Sequence, residues 1–270
     1  MRRIITLTTD FGEKDPWVGA VRGVILSINP DAELIDITHL VSPQNILEGS
    51  FVFSQAYPFF PEGTIHVVVV DPGVGSRRRP LLVETGRFCF IGPDNGVFTQ
   101  VLKGGDLRRI IHLTNSEYFL EEVSATFHAR DIFAPCAAHL SLGVDPASMG
   151  EPVEDPCTLD ITEPERTERV IRGVILYVDT FGNLITNISE DDLSALLERG
   201  EVDIDIGWRT LRGLVASYSE GKPGEPVALI GSTRRLEIAA FKQRATDLLD
   251  AGVGDRVEVR LRVGQSGTGD

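Results

Sequence analysis

The chain has 270 residues, of which 42% are hydrophobic and 24% charged, the balance of an ordinary globular protein with room for one large domain or two smaller ones. Its formal charge of −14 argues against a nucleic-acid partner, which needs a basic surface, and is compatible with a cationic small substrate. No apolar stretch approaches the roughly 18 residues that cross a bilayer, and Met1-Arg2-Arg3 leads straight into a strand pattern, so no membrane partner and a cytoplasmic location are expected. Cys89, Cys136 and Cys157 form no CxxC pair and read as reduced thiols rather than zinc ligands.

The first predicted strand, Ile4 to Thr9, runs into Asp10-Phe11-Gly12 and an acidic turn ending at Asp15-Pro16-Trp17. Apolar residues at Trp17, Val18, Val21, Val24, Ile25 and Ile28 then follow a helical period that stops at Asn29-Pro30. A strand at Leu34 to Ile37, a helix at Ile46 to Tyr57 and a strand at Thr64 to Val70 complete a β-α-β-α-β order, which predicts a mostly parallel sheet with helices on its faces. The run Val67 to Val70 is wholly β-branched and ends at Asp71-Pro72-Gly73-Val74-Gly75-Ser76. A strand buried on both faces reads this way, and the ends of such strands are where open α/β sheets hold their ligands. Two strands are therefore expected to deliver Asp10 and Asp71 to one crevice.

Leu81 to Glu84 and Phe88 to Ile91 flank Thr85-Gly86-Arg87 as a hairpin, and Asp131 to Leu142 reads as the last helix of this half. Four prolines among acidic residues between Asp145 and Arg169 then mark a linker, dividing the chain into an N-terminal α/β domain (1–150), a linker (151–169) and a smaller C-terminal β-rich, barrel- or sandwich-like domain (170–270). The expected strands there are Val170 to Val178, Val202 to Ile206, Val227 to Ile230, Leu236 to Ala240 and Arg256 to Val263. One helix, near Asp191 to Leu197, is capped by Ser189.

Asp10 and Asp71 each precede a glycine turn that lets backbone approach a ligand, which favours function over helix capping. Asp94-Asn95-Gly96 is a common turn sequence and favours structure. His39, His66, His112 and His139 lack acidic or glycine-rich settings and read as packing or surface residues. His128 differs, with Arg130 and Asp131 beside it; on an extended segment His128 and Arg130 point the same way, and Asp131 caps the helix. One guanidinium of Arg77-Arg78-Arg79 can fold back onto Asp71 and hold it ionised.

Taken together, Thr8-Thr9-Asp10-Phe11-Gly12, Val70 to Ser76 with Arg78-Arg79-Pro80, Pro93-Asp94-Asn95-Gly96, Phe127 to Asp131 with Phe133-Ala134-Pro135, and Phe181-Gly182-Asn183 with Thr186-Asn187 resemble the S-adenosylmethionine (SAM) hydroxide adenosyltransferases, relatives of the fluorinases and chlorinases. The resemblance runs from about Ile4 to about Val263. It implies an SN2 attack by water on C5′ of SAM, giving adenosine and L-methionine, with SAM as substrate and no cofactor or metal. It also implies a homotrimer whose active sites lie between the N-terminal domain of one subunit and the C-terminal domain of the next.

By the same resemblance the catalytic triad falls on Asp71, Arg78 and His128. Asp10 matches the carboxylate that grips the ribose, Asp15 and Asp179 the acidic groups around the methionine ammonium, Asn183 the amide that reads adenine, and Ser232 a carboxylate-binding hydroxyl. Phe11, Trp17, Asn95, Phe181, Glu237 and Ala239 join the substrate-binding set. Ala129 replaces the usual glycine of the histidine motif, and Phe241 to Ala245 replaces an Asn- and Gly-rich segment. The halide-using branch carries a tyrosine at the Asp71 position, so a carboxylate there favours water over halide. Three alternatives stand beside hydrolysis: halide transfer, a metal-dependent hydrolase built on Asp10, Asp71, Asp94 and His128, and a non-catalytic adenosine or SAM sensor.

Overall fold

The computed structural model describes residues 4–262; Met1-Arg2-Arg3 and the Val263 end of the last predicted strand lie outside them. Contacts divide the chain into two compact units, one ending at Asp160 and the other beginning at Ile161. In the first, β1 (Ile4–Thr9), α1 (Trp17–Ile28), β2 (Glu33–Thr38), α2 (Ile46–Ala56) and β3 (Ile65–Val69) follow the expected order. After them come β4 (Pro80–Thr85), β5 (Cys89–Pro93), α3 (Thr99–Lys103), β6 (Leu107–Leu113), α4 (Ala134–Ser141) and β7 (Gly150–Pro152). The seven strands form one mixed sheet in the order β2-β1-β3-β5-β4-β6-β7. Its β2-β1-β3-β5 side is parallel, and the β4 hairpin, β6 and β7 add antiparallel strands.

The apolar run of β3 is buried on both sides because successive side chains alternate faces. Val67 and Val69 pack with Val21 and Ile25 of α1 and Ala134, Ala137 and Ala138 of α4, while Val68 packs with Phe53 of α2 and Val101 of α3. Asn45 starts α2 by accepting from the Glu48 N–H, which answers one of the unpaired donors of a helix N-terminus.

In the second unit, β8 (Glu165–Arg166), β9 (Val170–Val178), β10 (Leu184–Ser189), α5 (Glu190–Leu197), β11 (Val202–Ile206), β12 (Arg209–Arg212), β13 (Pro226–Ile230), β14 (Arg235–Ala240), α6 (Ala245–Leu249) and β15 (Arg256–Leu261) follow. Its antiparallel sheet runs β12-β11-β15-β9-β10-β14-β13, with β8 beside β9. The Val215 N–H, just past β12, donates to Ala228 O of β13, so the two edge strands nearly close a barrel around Ile175, Leu184, Ile204, Ile238 and Val257. Ser189 caps α5 in a reciprocal capping box with Asp192.

Candidate active site

Asp10 and Asp71 leave the carboxyl ends of the adjacent parallel strands β1 and β3, and both line one cavity of about 240 Å³ together with Phe11, Gln44, Phe127 and His128. A larger cavity, about 800 Å³, opens near Ile4, Ile65 and Thr85; Ile4 and Ile65 begin β1 and β3, so this cavity is at the edge away from the two carboxylates. The 240 Å³ cleft brings Asp10, Asp71 and His128 together, whereas the larger opening, lined by Glu62, Glu84, Arg87, Arg108 and Asp145, holds no histidine.

The turn after Asp71 depends on glycine. Gly75 has φ +76°, and a Cβ there would stand 2.3 Å from Ala125 O, a contact no side chain tolerates. The turn therefore lies directly against the Ala125-Thr126-Phe127 stretch that presents His128. From this turn Arg78 folds back: its Nε donates to Asp71 Oδ1 at 2.9 Å, its Nη2 pairs with Asp71 Oδ2, and the same Nη2 lies 2.9 Å from His128 Nδ1. The paired side chains are only 7% and 6% exposed, which makes this a desolvated bidentate clamp rather than a surface ion pair. Arg79 turns the other way, to Asp94 and Asp155.

A guanidinium only donates, so His128 Nδ1 accepts from Arg78 and the ring hydrogen sits on Nε2. Burial, and after it the Arg78 charge, lower the His128 pKa, against Asp71 and Asp131 acting in the opposite direction. The imidazole is neutral. Behind it the chain is not extended, as the sequence suggested: Ala129–Phe133 form a π-helical turn in which the Ala134 N–H donates to Ala129 O. Arg130 consequently bonds its neighbour Asp131 rather than pointing with His128. Asp131 does not cap the helix either; fully buried, it accepts from the Ser124 N–H and hydroxyl. Burial raises its pKa, yet the Arg130 and Ser124 hydrogen bonds outweigh burial and hold it below the usual range.

Asp10 is held by main chain. Its Oδ2 accepts the Gln44 N–H at 2.7 Å, and Gln44 has φ +66°, an uncommon conformation for a side chain with a Cβ. Trp17 stacks edge-on against Phe127 with centroids 5.4 Å apart, and Phe11 does the same at 5.9 Å, so the aromatic wall joins the Asp10 turn to the histidine loop. Asp15 is exposed and does not line the cleft.

Asp94-Asn95-Gly96 braces the same region from behind. Asp94 is buried, pairs with Arg79 and accepts the Cys157 N–H, while Asn95 Nδ2 donates to Val70 O, the carbonyl immediately before Asp71. The segment follows β5 and leads to α3 rather than closing a hairpin. Cys89, Cys136 and Cys157 form no disulfide among the described residues. Among the described residues no group of three or more His, Cys, Asp or Glu side chains is placed to hold a metal ion.

The second unit gathers its own polar set. Asp179 clasps Asn183 by accepting both its N–H and its side-chain amide at 2.8 and 2.9 Å. Glu237 is buried, accepts the Tyr218 hydroxyl at 2.7 Å, and has its pKa raised mainly by burial, with the nearby Asp179 charge adding to the rise. A Cβ at Gly231 would stand 2.2 Å from Glu237 Oε2, so this loop crosses close over the carboxyl. Ser232 beside it is exposed, Ala239 is fully buried in β14, and the Phe181 ring is 76% exposed.

Sequence reasoning missed Gln44, whose residue type gives no hint of positive φ, and His39. The latter has an acidic neighbour after all: its Nε2 lies 3.1 Å from Asp36 Oδ1. The relevant signal was Asp36 three residues earlier, at the end of β2.

The profile of the SAM hydroxide adenosyltransferase N-terminal domain matches residues 5–150, and that of the C-terminal domain matches residues 173–258. The chain is 38% identical to the (R)-S-adenosyl-L-methionine hydrolase of Salinispora tropica, over 94% of this chain and 97% of that protein. It is 36% identical to the protein of the same name from Methanocaldococcus jannaschii, over 95% of each. A crystal structure of an uncharacterized conserved protein from Thermotoga maritima superposes with a TM-score of 0.89 at 35% identity, covering 95% of this chain and 99% of that one.

Proposed function

The chain belongs to the SAM hydroxide adenosyltransferase family, and from that membership we propose that it hydrolyses S-adenosyl-L-methionine to adenosine and L-methionine by attack of water on C5′. The observation that carries the reading is the Arg78 guanidinium bridging Asp71 and His128 beside Asp10. In the SN2 step the water oxygen bonds to C5′, the C5′–S bond breaks, and its electron pair neutralises the sulfonium as methionine's thioether. The leaving group is neutral and good. What the site must supply is one water in line, at roughly 3–3.5 Å, with its proton taken as the bond forms.

The hydrogen-bond directions support one path for the proton. His128 Nδ1 is filled by Arg78, so its Nε2–H is a donor that steadies developing hydroxide. The acceptor is the Asp71 carboxylate, since each of its oxygens has a second lone pair beyond the one used by Arg78. Asp71 orients and deprotonates the water, and Arg78 fixes both partners. We propose that the ribose hydroxyls bind Asp10 beside Phe11, with Trp17 against Phe127 and Asn95 holding the turn.

The first-unit cleft, about 240 Å³, is smaller than the roughly 300–1,000 Å³ of pockets that enclose a drug-sized ligand. This supports a site completed by further protein surface, and from the family resemblance we propose a homotrimer in which a neighbouring subunit supplies Asp179, Phe181, Asn183, Ser232, Glu237 and Ala239, with Asp15 near the methionine ammonium. No cofactor or metal is part of the proposal. No helix among the described residues is long and apolar enough to cross a membrane, and the reaction we propose is a cytoplasmic one. The test is to incubate the purified protein with SAM, with and without high chloride and with excess EDTA, and separate the products. Adenosine and methionine are expected in every case; 5′-chloro-5′-deoxyadenosine as the major species, or loss of turnover in EDTA, overturns the assignment.

A further inference from the structure

Three residues that bracket Asp10 are tied to a single buried histidine outside the cleft. His39, 6% exposed, places Nδ1 2.9 Å from Thr9 Oγ1, and Thr9 Oγ1 in turn accepts the Phe11 N–H at 3.2 Å. The His39 carbonyl accepts the Gly12 N–H at 2.7 Å. On the far side of the ring Nε2 lies 3.1 Å from Asp36 Oδ1, off the line of a good hydrogen bond, and Asp36 is paired with Arg22.

Proton bookkeeping fixes the directions. The Asp36 carboxylate, 3.1 Å from Nε2, favours the ring hydrogen on that nitrogen, and with it there Nδ1 accepts and the Thr9 hydroxyl donates. The oxygen of that hydroxyl keeps a lone pair for Phe11. Burial, then the Arg22 charge, keep the imidazole neutral against the pull of Glu13. The Asp36-His39-Thr9 series has the order of a nucleophile triad, but Thr9 is buried and its oxygen already engaged, so it cannot attack a substrate. Its geometry serves the backbone instead.

We propose that His39 is a positioning residue for substrate binding, holding Thr9, Phe11 and Gly12 so that Asp10 and the Phe11 ring face the ribose. The inference rests on the hydrolase reading and concerns KM rather than the chemical step, because Asp71, Arg78 and His128 are held by separate bonds. Steady-state kinetics on SAM and calorimetry with adenosine, run on wild type, His39→Leu, His39→Asn and the isosteric Thr9→Val, test it.

His39→Leu is expected to raise KM and the adenosine Kd about tenfold with kcat within threefold, and Thr9→Val to do the same. His39→Asn, whose Oδ1 can accept the Thr9 hydroxyl where Nδ1 did, is expected to restore both to within threefold. The His39→Leu/Thr9→Val double variant should be no worse than Thr9→Val, which already lacks the link to His39 as well as the acceptor for the Phe11 N–H. A wild-type KM in Thr9→Val, additive losses in the double variant, or a loss that His39→Asn leaves unrepaired overturns the role of His39. A wild-type protein that binds adenosine but leaves SAM intact overturns the hydrolase reading while the adenosine Kd series still tests His39.

Discussion

The turns after β1 and β3 begin alike and are built for different work. Each ends a strand of the parallel half with an aspartate, yet Asp71 is clamped by a charged, nearly unexposed guanidinium that also reaches His128, whereas Asp10 is held by one main-chain N–H. A carboxylate fixed among side chains that can orient water and steady a developing charge suits chemistry. One fixed by backbone, with acceptor capacity left over, suits a pair of hydroxyls. In the proposed reaction the two aspartates differ in task because their turns differ in what they bring: Gly75 lets one turn lie against the histidine loop, and Gln44 at positive φ supplies the donor to the other.

Substitutions that separate binding from turnover break this contrast most sharply. Asp71→Asn keeps the shape but not the base, and kcat is expected to fall by about 10²–10⁴ with the adenosine Kd unchanged, while Arg77→Ala, whose side chain is exposed at the same turn, leaves both near wild type. Stopped assays and calorimetry on the two variants check this. A fall in affinity matching the fall in kcat means that the β3 turn binds as much as it reacts.

Asp10→Ala comes next. Charge-assisted hydrogen bonds are worth about 1.5–3 kcal/mol each, so losing the acceptor for the ribose hydroxyls is expected to weaken adenosine at least tenfold with little change in the melting temperature. Unchanged adenosine affinity by calorimetry removes Asp10 from the site and erases the contrast.

The smallest effect concerns what the turns share. Thr6 of β1 and His66 of β3 are joined at 2.7 Å, and His66 sits unexposed among Phe53, Tyr57, Phe88 and Phe90. Burial pushes its pKa down to about 3. The unfolded chain, with an ordinary value near 6.5, binds a proton that the folded chain refuses, so stability is full above about pH 6.5 and falls as pH drops toward 3. The slope reaches about 1.4 kcal/mol per pH unit. Denaturant titrations at pH 7, 5 and 4 should show this acid loss in wild type and less of it in His66→Phe; parallel losses in both mean that His66 is not its source.

Much of this contrast is legible in the sequence because its causes are local. The helical period of Trp17 to Ile28, the cap at Ser189 and the β-branched run into Asp71 each carry their own signal, and α1 and the capping box stand where the pattern puts them. What hides is what depends on distant partners. Leu107 to Leu113 opens with an exposed leucine and two exposed arginines and becomes a strand by pairing with β4 and β7. Leu184 to Ser189 follows a turn motif that masks it, and the π-turn at Ala129 is set by packing around Asp131 rather than by residue preference. Arg78 is chosen over Arg77 and Arg79 by where the turn points each side chain, and Asp94 and Asp155 take Arg79 away from Asp71. The run of three arginines by itself suggested only that one of them would do so, and the family resemblance pointed to Arg78.

Oxygen labelling tests most directly whether the β3 turn sends water to C5′ of SAM, as we propose. With SAM and the protein in H₂¹⁸O, mass spectrometry is predicted to find the label in the 5′-hydroxyl of adenosine and none in methionine. Label in homoserine or methanol, which attack on the other carbons bound to sulfur yields, or adenosine formed without label, contradicts the account.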